Sequence, residues 1–343
     1  MIFHRLKNVI PLPDMMLKAE FQDGAERIYD VKPLMEKIPV FKMLGYVHGL
    51  FEQVRVDTGG YGIVWNDEID LECNELYENG RQVQMKDVQK EFDPRNIQID
   101  RVGVRNVNYP ITALYHDGGT QSTIARISMS VMLPREYRGT HMSRFIETLE
   151  DYRGRVSPHN LEDFTRSLCE KLNASESSVR FKFPYYFRKK APVSGIESFS
   201  KCDIDLQAHY SKGKHFDMII GVALDVQTLC PCSKEISKYG AHNQRALVSL
   251  SVRCKALVWF EELIDMIEAS ASSPLYTLLK REDEKFITEH SYENPRFVED
   301  VIRELAVRLD SEDRITWYKA GVESQESIHE HNAFAEIERE KEK

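Results

Sequence analysis

The most reactive stretch in the sequence is Thr228-Leu-Cys-Pro-Cys-Ser-Lys-Glu235, and His242 lies twelve residues after its first thiol. Pro231 fixes its own φ angle and disfavours the helical region for Cys230, so the Cys-Pro-Cys segment is predicted to be extended. Side chains two residues apart in an extended segment point the same way, which would place the thiols of Cys230 and Cys232 on one wall of a cavity. A disulfide between them would be strained. The stretch therefore indicates metal or thiol chemistry, with a buried apolar cysteine pair as the alternative.

Three further groups of residues could take part in chemistry, although each is also typical of a solvated surface. Lys280-Arg-Glu-Asp-Glu-Lys285 is a dense cluster of charge. Glu299 lies beside the apolar stripe of a helix predicted to begin near Pro295, so it is either a boundary carboxylate or one that faces a site. The segment from Glu323 to His331 combines carboxylates and imidazoles on a predicted loop that leads into an edge strand. Taken singly, none of the three identifies a site.

The composition is that of an ordinary globular protein, and it argues against several classes of function. Of the 343 residues, 42% are hydrophobic and 29% are charged, and the formal net charge is −9 at pH 7. This charge argues against a general binder of nucleic acid or of anionic membranes, but it leaves room for a local basic pocket. There is no run of 18 apolar residues and no signal-peptide core, so we expect a cytoplasmic protein without membrane spans. The four remaining cysteines are scattered, as is typical of reduced thiols.

Residues 1–83 are predicted to form a small, separate α+β domain. The strands Val54–Thr58 and Tyr61–Trp65, joined by Gly59-Gly60, predict a hairpin, and a short acidic helix is predicted over Asp67–Tyr77. The order of these motifs resembles a small family of uncharacterised bacterial domains that normally stand alone. The domain carries no chemical motif, and our hypothesis is that it tunes oligomerisation or docks a partner.

The rest of the chain is predicted to be a linker followed by two repeats of the same order of strands and helices. Residues 84–95 are polar and end in Asp93-Pro94, which predicts the linker. Residues 96–340 then contain two copies of the order strand, strand, helix, helix, strand, strand, over about 96–210 and 211–340. Antiparallel strands with helices on one face belong to the α+β class. Each copy leaves strand edges that need covering, and oligomer formation would cover them.

Several motifs occur together in the order found in GTP cyclohydrolase type IB, and residues 96–338 resemble that family. The motifs are Gly103-Val-Arg-Asn-Val-Asn-Tyr-Pro-Ile111, Gly139-Thr-His-Met-Ser-Arg-Phe145, Lys190-Ala-Pro-Val-Ser-Gly195, the two-cysteine stretch, His242-Asn-Gln-Arg245, Lys280–Lys285, Asn294-Pro-Arg-Phe-Val-Glu-Asp300 and Glu326-Ser-Ile-His-Glu-His-Asn-Ala333. The N-terminal domain departs from the family's usual chain. The resemblance implies two tandem tunnelling-fold repeats (ββααββ) with antiparallel sheets, assembled into a homotetramer whose sites lie at subunit interfaces.

The resemblance also implies an activity and a metal. GTP would be hydrolysed to 7,8-dihydroneopterin triphosphate and formate, the entry step to folate, after water attacks carbon 8 of the purine. One divalent transition metal would be held at each site, and zinc, manganese and iron(II) are all open. Carried over to matching positions, the implied ligands are Cys230, His242, Glu284 and His329. Cys232 would be a second, unligated thiol, and Glu299 a general acid/base or an alternative ligand.

For the substrate, the resemblance implies an anchor for the base and cations for the triphosphate. Glu326 would anchor guanine, because a buried carboxylate can accept hydrogen bonds from the ring N–H and the exocyclic amine. The triphosphate requires cationic and polar groups, some of which would reach a neighbouring subunit's site. The candidates are His141, Ser143, Arg144, Arg245, Lys189 and Lys190.

Three other interpretations stay open. An archaeal-type relative would release a cyclic phosphate product, which the sequence does not distinguish. A non-catalytic, metal-binding scaffold would use the same fold without turnover. The nitrile reductase of deazaguanine metabolism shares the fold and the purine anchor, but it needs a nicotinamide cofactor, for which the sequence shows no fingerprint.

Overall fold

The structure is a computed structural model that describes residues 4–83, 87–152, 154–155, 157–213 and 216–341. The chain divides into two compact units, the first ending at Asp87 and the second beginning at Val88. Of the stretch predicted as a linker, residues 84–86 lie outside the described residues. Its later part belongs to the second unit, where the amide of Gly139 donates to the carbonyl of Gln89 at 3.1 Å.

The first unit is a small α+β fold with two antiparallel sheets over one apolar core. Its strands are β1 Leu6–Leu12, β2 Met16–Phe21, β3 Glu26–Asp30, β4 Arg55–Val56, β5 Gly62–Val64, β6 Asp70–Glu72 and β7 Arg81–Gln82, and its helices are α1 Lys32–Lys37, α2 Met43–Tyr46 and α3 Cys73–Asn79. One sheet has the order β1-β2-β3-β7 and the other β4-β5-β6. Leu17, Ile63 and Trp65 are fully buried at the centre of the core.

The hairpin predicted in this unit is confirmed, whereas the acidic helix is wrong in its first half. β4 and β5 pair antiparallel, with Arg55 opposite Val64. The helix predicted from Asp67 begins only at Cys73, because β6 pairs with β5 and is held as a strand. A third strand partner outweighed the local helical pattern, as tertiary context commonly does.

The second unit holds the doubled pattern. Its strands are β8 Ile99–Leu114, β9 Thr120–Leu133, β10 Glu176–Lys190, β11 Glu197–Ser211, β12 Asp217–Leu229, β13 Asn243–Cys254, β14 Ser273–Pro274, β15 Ile315–Ser324 and β16 Ala333–Glu340. Its helices are α4 Ser143–Asp151, α5 Leu161–Leu172, α6 Pro231–Ile236, α7 Phe260–Glu268, α8 Arg281–Glu293 and α9 Val298–Ser311. Among the described residues, these strands form one antiparallel sheet with the order β16-β15-β13-β12-β11-β10-β9-β8, and β14 pairs with β12.

This topology confirms the prediction of an α+β fold with two ββααββ repeats. In the first repeat the hairpin β8–β9 is followed by α4 and α5 and then by the hairpin β10–β11. In the second, β12 and β13 are followed by α7 and α9 and then by the hairpin β15–β16. The repeats join where β11 pairs with β12, Asp205 lying opposite Gly221, so one sheet runs through both.

The sheet buries one face under the helices, and the alternating sequence of each strand determines which face. Along β10, Val179, Phe181, Phe183 and Tyr185 are buried, while the residues between them are more exposed. Helix α5 presents a matching stripe of buried residues that begins at Leu161. No helix in the part of the chain that the structure describes has the length and apolar character needed to cross a bilayer.

Helix α8 was not predicted, because its sequence is rich in charge and lacks an apolar stripe. The cluster Lys280–Lys285 was interpreted as charge after a helix, but it begins one. Asp283 stabilises the start of this helix. It is fully buried and accepts hydrogen bonds from the amides of Lys280, Val193 and Ser194 at 2.8 to 2.9 Å. These donors hold the pKa of Asp283 well below its ordinary value although burial acts the other way.

Candidate active site

A cavity of about 510 Å³ lies in the second repeat, where the ends of several strands meet the start of α9. The strand ends are those of β12 and β13, together with the turn between β15 and β16. The lining residues are Thr228, Cys230, His242, Gln244, Arg296, Phe297, Val298, Glu299, Glu326, His329, His331, Asn332, Ala333 and Phe334. Five predicted site residues are among them, although they come from four separate segments of the chain.

Cys230 and His242 are brought together by the ends of the β12–β13 hairpin. The amide of Cys230 donates to the carbonyl of His242 at 3.1 Å. Ser233 also links them, because its hydroxyl donates to the carbonyl of Cys230 and accepts from the amide of His242, each at 3.2 Å. A thiol and an imidazole therefore line one cavity from adjacent strands.

The prediction of an extended Cys-Pro-Cys segment is wrong beyond its first residue. Cys230 is extended, with φ −66° and ψ 118°, but it is the N-cap of α6, and its sulfur accepts a hydrogen bond from the amide of Ser233 at 3.3 Å. Pro231 occupies the first helical turn, a position for which its fixed φ is suited. Cys232 consequently lies inside the helix, is exposed, and is not among the residues that line the cavity. The two thiols do not share a wall.

A chain of hydrogen bonds joins His242 to Glu326 through Gln244, a residue whose role sequence reasoning missed. The Gln244 amide nitrogen donates to Glu326 Oε1 at 3.3 Å, so its oxygen faces His242. That oxygen lies 2.9 Å from His242 Nδ1 and the hydroxyl of Ser327 lies 3.3 Å from it, an arrangement in which Nδ1 donates to the amide oxygen of Gln244. The remaining ring nitrogen, Nε2, then bears the lone pair, which is the form of imidazole that binds a metal.

Glu326 is held in place by two donors. Besides Gln244, the hydroxyl of the buried Ser324 donates to the same oxygen, Oε1, at 2.8 Å. Within the described residues, no donor contacts the second oxygen, Oε2. One oxygen thus fixes the half-buried carboxylate in position while the other stays available to a ligand.

Glu299 and His329 also line the cavity. Glu299 is exposed in the first turn of α9, and His329 is exposed in the turn between β15 and β16. The rings of His329 and His331 stack with their centres 5.1 Å apart. Arg296, not predicted from the sequence, is tied to Glu304 at 3.1 Å beside the cavity. Both predicted residues are therefore within the site and accessible to solvent.

The predicted set of four metal ligands is not assembled within this chain. Glu284 is exposed on the first turn of α8 and does not line the cavity. In the described ranges, no three histidine, cysteine, aspartate or glutamate side chains form a cluster that could hold a metal ion. The donors present nevertheless fit a transition metal, because a sulfur that accepts an amide hydrogen and an imidazole of fixed tautomer share one cavity. The full ligand set stays a prediction.

The residues predicted to bind the triphosphate lie outside this cavity. Ser143 opens α4 and His141 precedes it. Arg144 donates to the carbonyl of Lys171 at 2.9 Å in the last turn of α5, which suits a cation because that end of a helix is negative. Arg245 is exposed on β13. Within one chain these side chains are not brought to Cys230 or Glu326, so their roles also stay predictions.

Of the two lysines, Lys189 is better explained as a structural residue. It is buried beside Glu268, with side chains that are 9% and 13% exposed, and it also donates to the carbonyl of Leu275 at 2.8 Å. Burial lowers the pKa of Lys189 and raises that of Glu268. Lys190, by contrast, is exposed and 3.3 Å from Glu197.

Removing one member of this buried pair is expected to cost far more stability than removing both. Glu268→Leu leaves an unpaired buried ammonium and should lower the free energy of unfolding by about 3 to 5 kcal/mol, whereas Lys189→Met with Glu268→Leu should stay within about 1 kcal/mol of the parent. Urea denaturation at pH 7 measures both values. Equal losses in the single and double variants would contradict a buried ion pair.

Two family profiles match this chain, and a solved structure shares part of its length. A family profile described as "Type I GTP cyclohydrolase folE2" matches residues 85–335, and one described as "Protein of unknown function (DUF2442)" matches residues 6–82. Among solved structures, uricase from Arthrobacter globiformis covers 71% of this chain and 94% of its own, with 9% identity and a TM-score of 0.45.

Curated relatives are much more similar in sequence. GTP cyclohydrolase FolE2 of Pseudothermotoga lettingae is 52% identical over 258 residues, which is 75% of this chain and 100% of the relative. The protein of the same name from Thermotoga maritima is 51% identical over 255 residues, covering 74% of this chain and 97% of the relative. The chain therefore belongs to the type I GTP cyclohydrolase FolE2 family, as an enzyme of that family that carries a DUF2442 domain at residues 6–82.

Proposed function

We propose that this enzyme hydrolyses GTP to 7,8-dihydroneopterin triphosphate and formate, the first step of folate biosynthesis, in the cavity of the second repeat. One observation supports this most strongly: Gln244 joins an imidazole suited to a metal to a carboxylate suited to guanine, on the wall of one cavity. The reaction needs both functions at fixed separation, because the purine must be held while its carbon 8 is attacked.

Cys230 and His242 would hold a divalent transition metal, and Glu284 and His329 are the further predicted ligands. Bound there, the metal would act as a Lewis acid that makes hydroxide available near neutral pH. Hydrogen bonds within the chain orient Cys230 and His242 for metal binding. The amide of Ser233 favours a negative sulfur on Cys230, and Gln244 fixes the ring of His242.

Glu326 would select guanine. Its free oxygen, Oε2, can accept from the ring N–H and the exocyclic amine, and adenine would leave it unpaired. Because Ser324 and Gln244 already fix Oε1, the carboxylate needs little reorganisation on binding. Glu299 lines the same cavity and would act as a general acid/base or as an alternative metal ligand, and Cys232 is the predicted second thiol.

The site would be completed in a homotetramer. Both outer edges of the large sheet, β8 and β16, are unpaired within the described residues, and the open face of the sheet exposes Ile124 and Phe334. Unpaired edges and exposed apolar side chains favour association. Phe334 also lines the cavity, so association through this face would bring a neighbouring subunit to the site. Light scattering should give about four times the 39.9 kDa chain mass.

Incubation of the purified chain with GTP and zinc, manganese or iron(II) tests the proposal. We expect formate and, after oxidation, pterin fluorescence. The mass of the product distinguishes the triphosphate from a cyclic phosphate. Absence of formate with all three metals, while metal still binds, would favour a non-catalytic scaffold instead.

Gln244→Leu should lower the metal affinity of the chain about 10- to 100-fold, because His242 loses the acceptor that fixes its ring. A competition titration against a chromophoric chelator measures this without turnover. Asn243→Ala is the matched control, since Asn243 is the exposed neighbour on the same strand and does not line the cavity. Unchanged affinity in Gln244→Leu would contradict the role given to His242.

A further inference from the structure

Thr228 combines nearly complete burial with a hydroxyl that has nothing to bind. It is the penultimate residue of β12, is 1% exposed, and lines the candidate active site. Its Oγ1 has no hydrogen-bond partner among the residues that the structure describes. Buried polar atoms are almost always paired, so an unpaired hydroxyl on a cavity wall indicates a partner that arrives with a ligand. Valine would fill the same space without an unpaired hydroxyl.

The neighbours of Thr228 determine what part of a ligand it would reach. In the register of the sheet it lies directly opposite Gln244, so their side chains share one face. Cys230 follows two residues later in extended backbone, so it also faces that side. Thr228 therefore neighbours both Cys230, with its predicted metal, and Gln244, which leads to Glu326.

We propose that the Thr228 hydroxyl donates a hydrogen bond to the purine ring of the bound nucleotide, an inference that rests on the proposed function. In the proposed complex, carbon 8 of guanine lies near Cys230 and the exocyclic amine lies at Glu326. Two edges of the purine run from carbon 8 to the amine, and Thr228 would face one of them. Along one edge lie N7 and O6, and along the other N3, all of which are acceptors. A hydroxyl in this position thus serves as a donor, and Thr228 is a substrate-contacting residue for the base.

The proposal predicts that removing the Thr228 hydroxyl affects the stability of the free enzyme and its affinity for GTP in opposite directions. In the free enzyme the unpaired hydroxyl lowers stability, so Thr228→Val should keep or raise the melting temperature. In the complex the hydroxyl is paired, so the same variant should lose affinity for GTP. A merely structural threonine would behave in the opposite way, because its removal would lower the melting temperature and leave binding unchanged.

The test compares wild type, Thr228→Val and Thr228→Ser, which retains the hydroxyl. Calorimetric titration of GTP into the full-length, metal-free chain should show affinity about ten- to hundredfold lower for Thr228→Val, and within a few-fold of wild type for Thr228→Ser. The melting temperature of Thr228→Val should not fall. The value of kcat/KM for formate release should follow the affinities.

Each outcome has a distinct consequence. If Thr228→Val binds GTP like wild type, or melts at a lower temperature, the inference is overturned while the proposed function stands. If wild type binds GTP but releases no formate with any metal, and Thr228→Val binds more weakly, the hydroxyl contact stands and the proposed reaction fails. If wild type binds no GTP with or without metal, both are overturned.

Discussion

Cys230→Ala should lose both bound metal and turnover, with kcat/KM for GTP reduced by about 10³-fold or more, because Lewis-acid activation of water supplies several kcal/mol of transition-state stabilisation. The position of Cys230 in the structure supports a large effect. Cys230 is the cysteine that lines the cavity, and its sulfur accepts from the amide of Ser233 beside His242. Metal analysis of the purified variant and a formate assay are the two measurements.

Two further cysteine variants make this result interpretable. Cys254→Ala is the matched control, because Cys254 lies at the far end of β13 and burial raises the pKa of its thiol to about 12, which leaves it inert. Cys232→Ala is predicted to keep the metal and lose turnover, as expected of an unligated thiol. Full metal content in Cys230→Ala would remove the basis of the proposed site, whereas full turnover in Cys232→Ala would reject only the role of Cys232.

Glu326→Gln should retain the metal but lose GTP turnover by roughly 10³-fold or more, together with the preference for guanine over adenine. An amide in place of the carboxylate would turn one acceptor into a donor that opposes the N–H groups of guanine. It would also disturb the bond from Gln244, but not the sulfur of Cys230. The measurements are kcat/KM for GTP, affinity for GTP and ATP, and metal content.

Glu323→Gln is the control for this experiment. Glu323 lies three residues earlier on β15, is exposed, and accepts from the amide of Asn332 at 2.7 Å without lining the cavity. We expect activity within a few-fold of wild type. If Glu326→Gln kept its discrimination between GTP and ATP, Glu326 would not be the base anchor, and the assignment of the cavity to a purine would lose its main support.

Local sequence determined much of the large fold, because its strands obey local rules. Alternating residues such as those of β10 bury one face of a sheet whatever the partner strand is. The eight long strands of the large sheet could therefore be predicted from the sequence, although their ends lie further out in the structure. The order of strands and helices in each repeat was predicted as well, and α5 of the first repeat spans Leu161–Leu172. Cys230 and His242 could be predicted to lie in one site because they flank the short connection between the paired strands β12 and β13.

Tertiary structure alone decided the features that depend on contacts between distant segments. Asp283, in the first turn of α8, accepts from the turn that contains Ser194, almost ninety residues away, and no periodicity encodes that bond. The burial of Lys189 beside Glu268 likewise depends on a partner that is distant in the sequence. The roles proposed for Gln244 and Thr228 depend on the pairing of β13 with β12 and with β15, which brings these residues next to each other and to Glu326. Hydrogen bonding and burial depend on neighbours in space, which a single sequence specifies only through the completed fold.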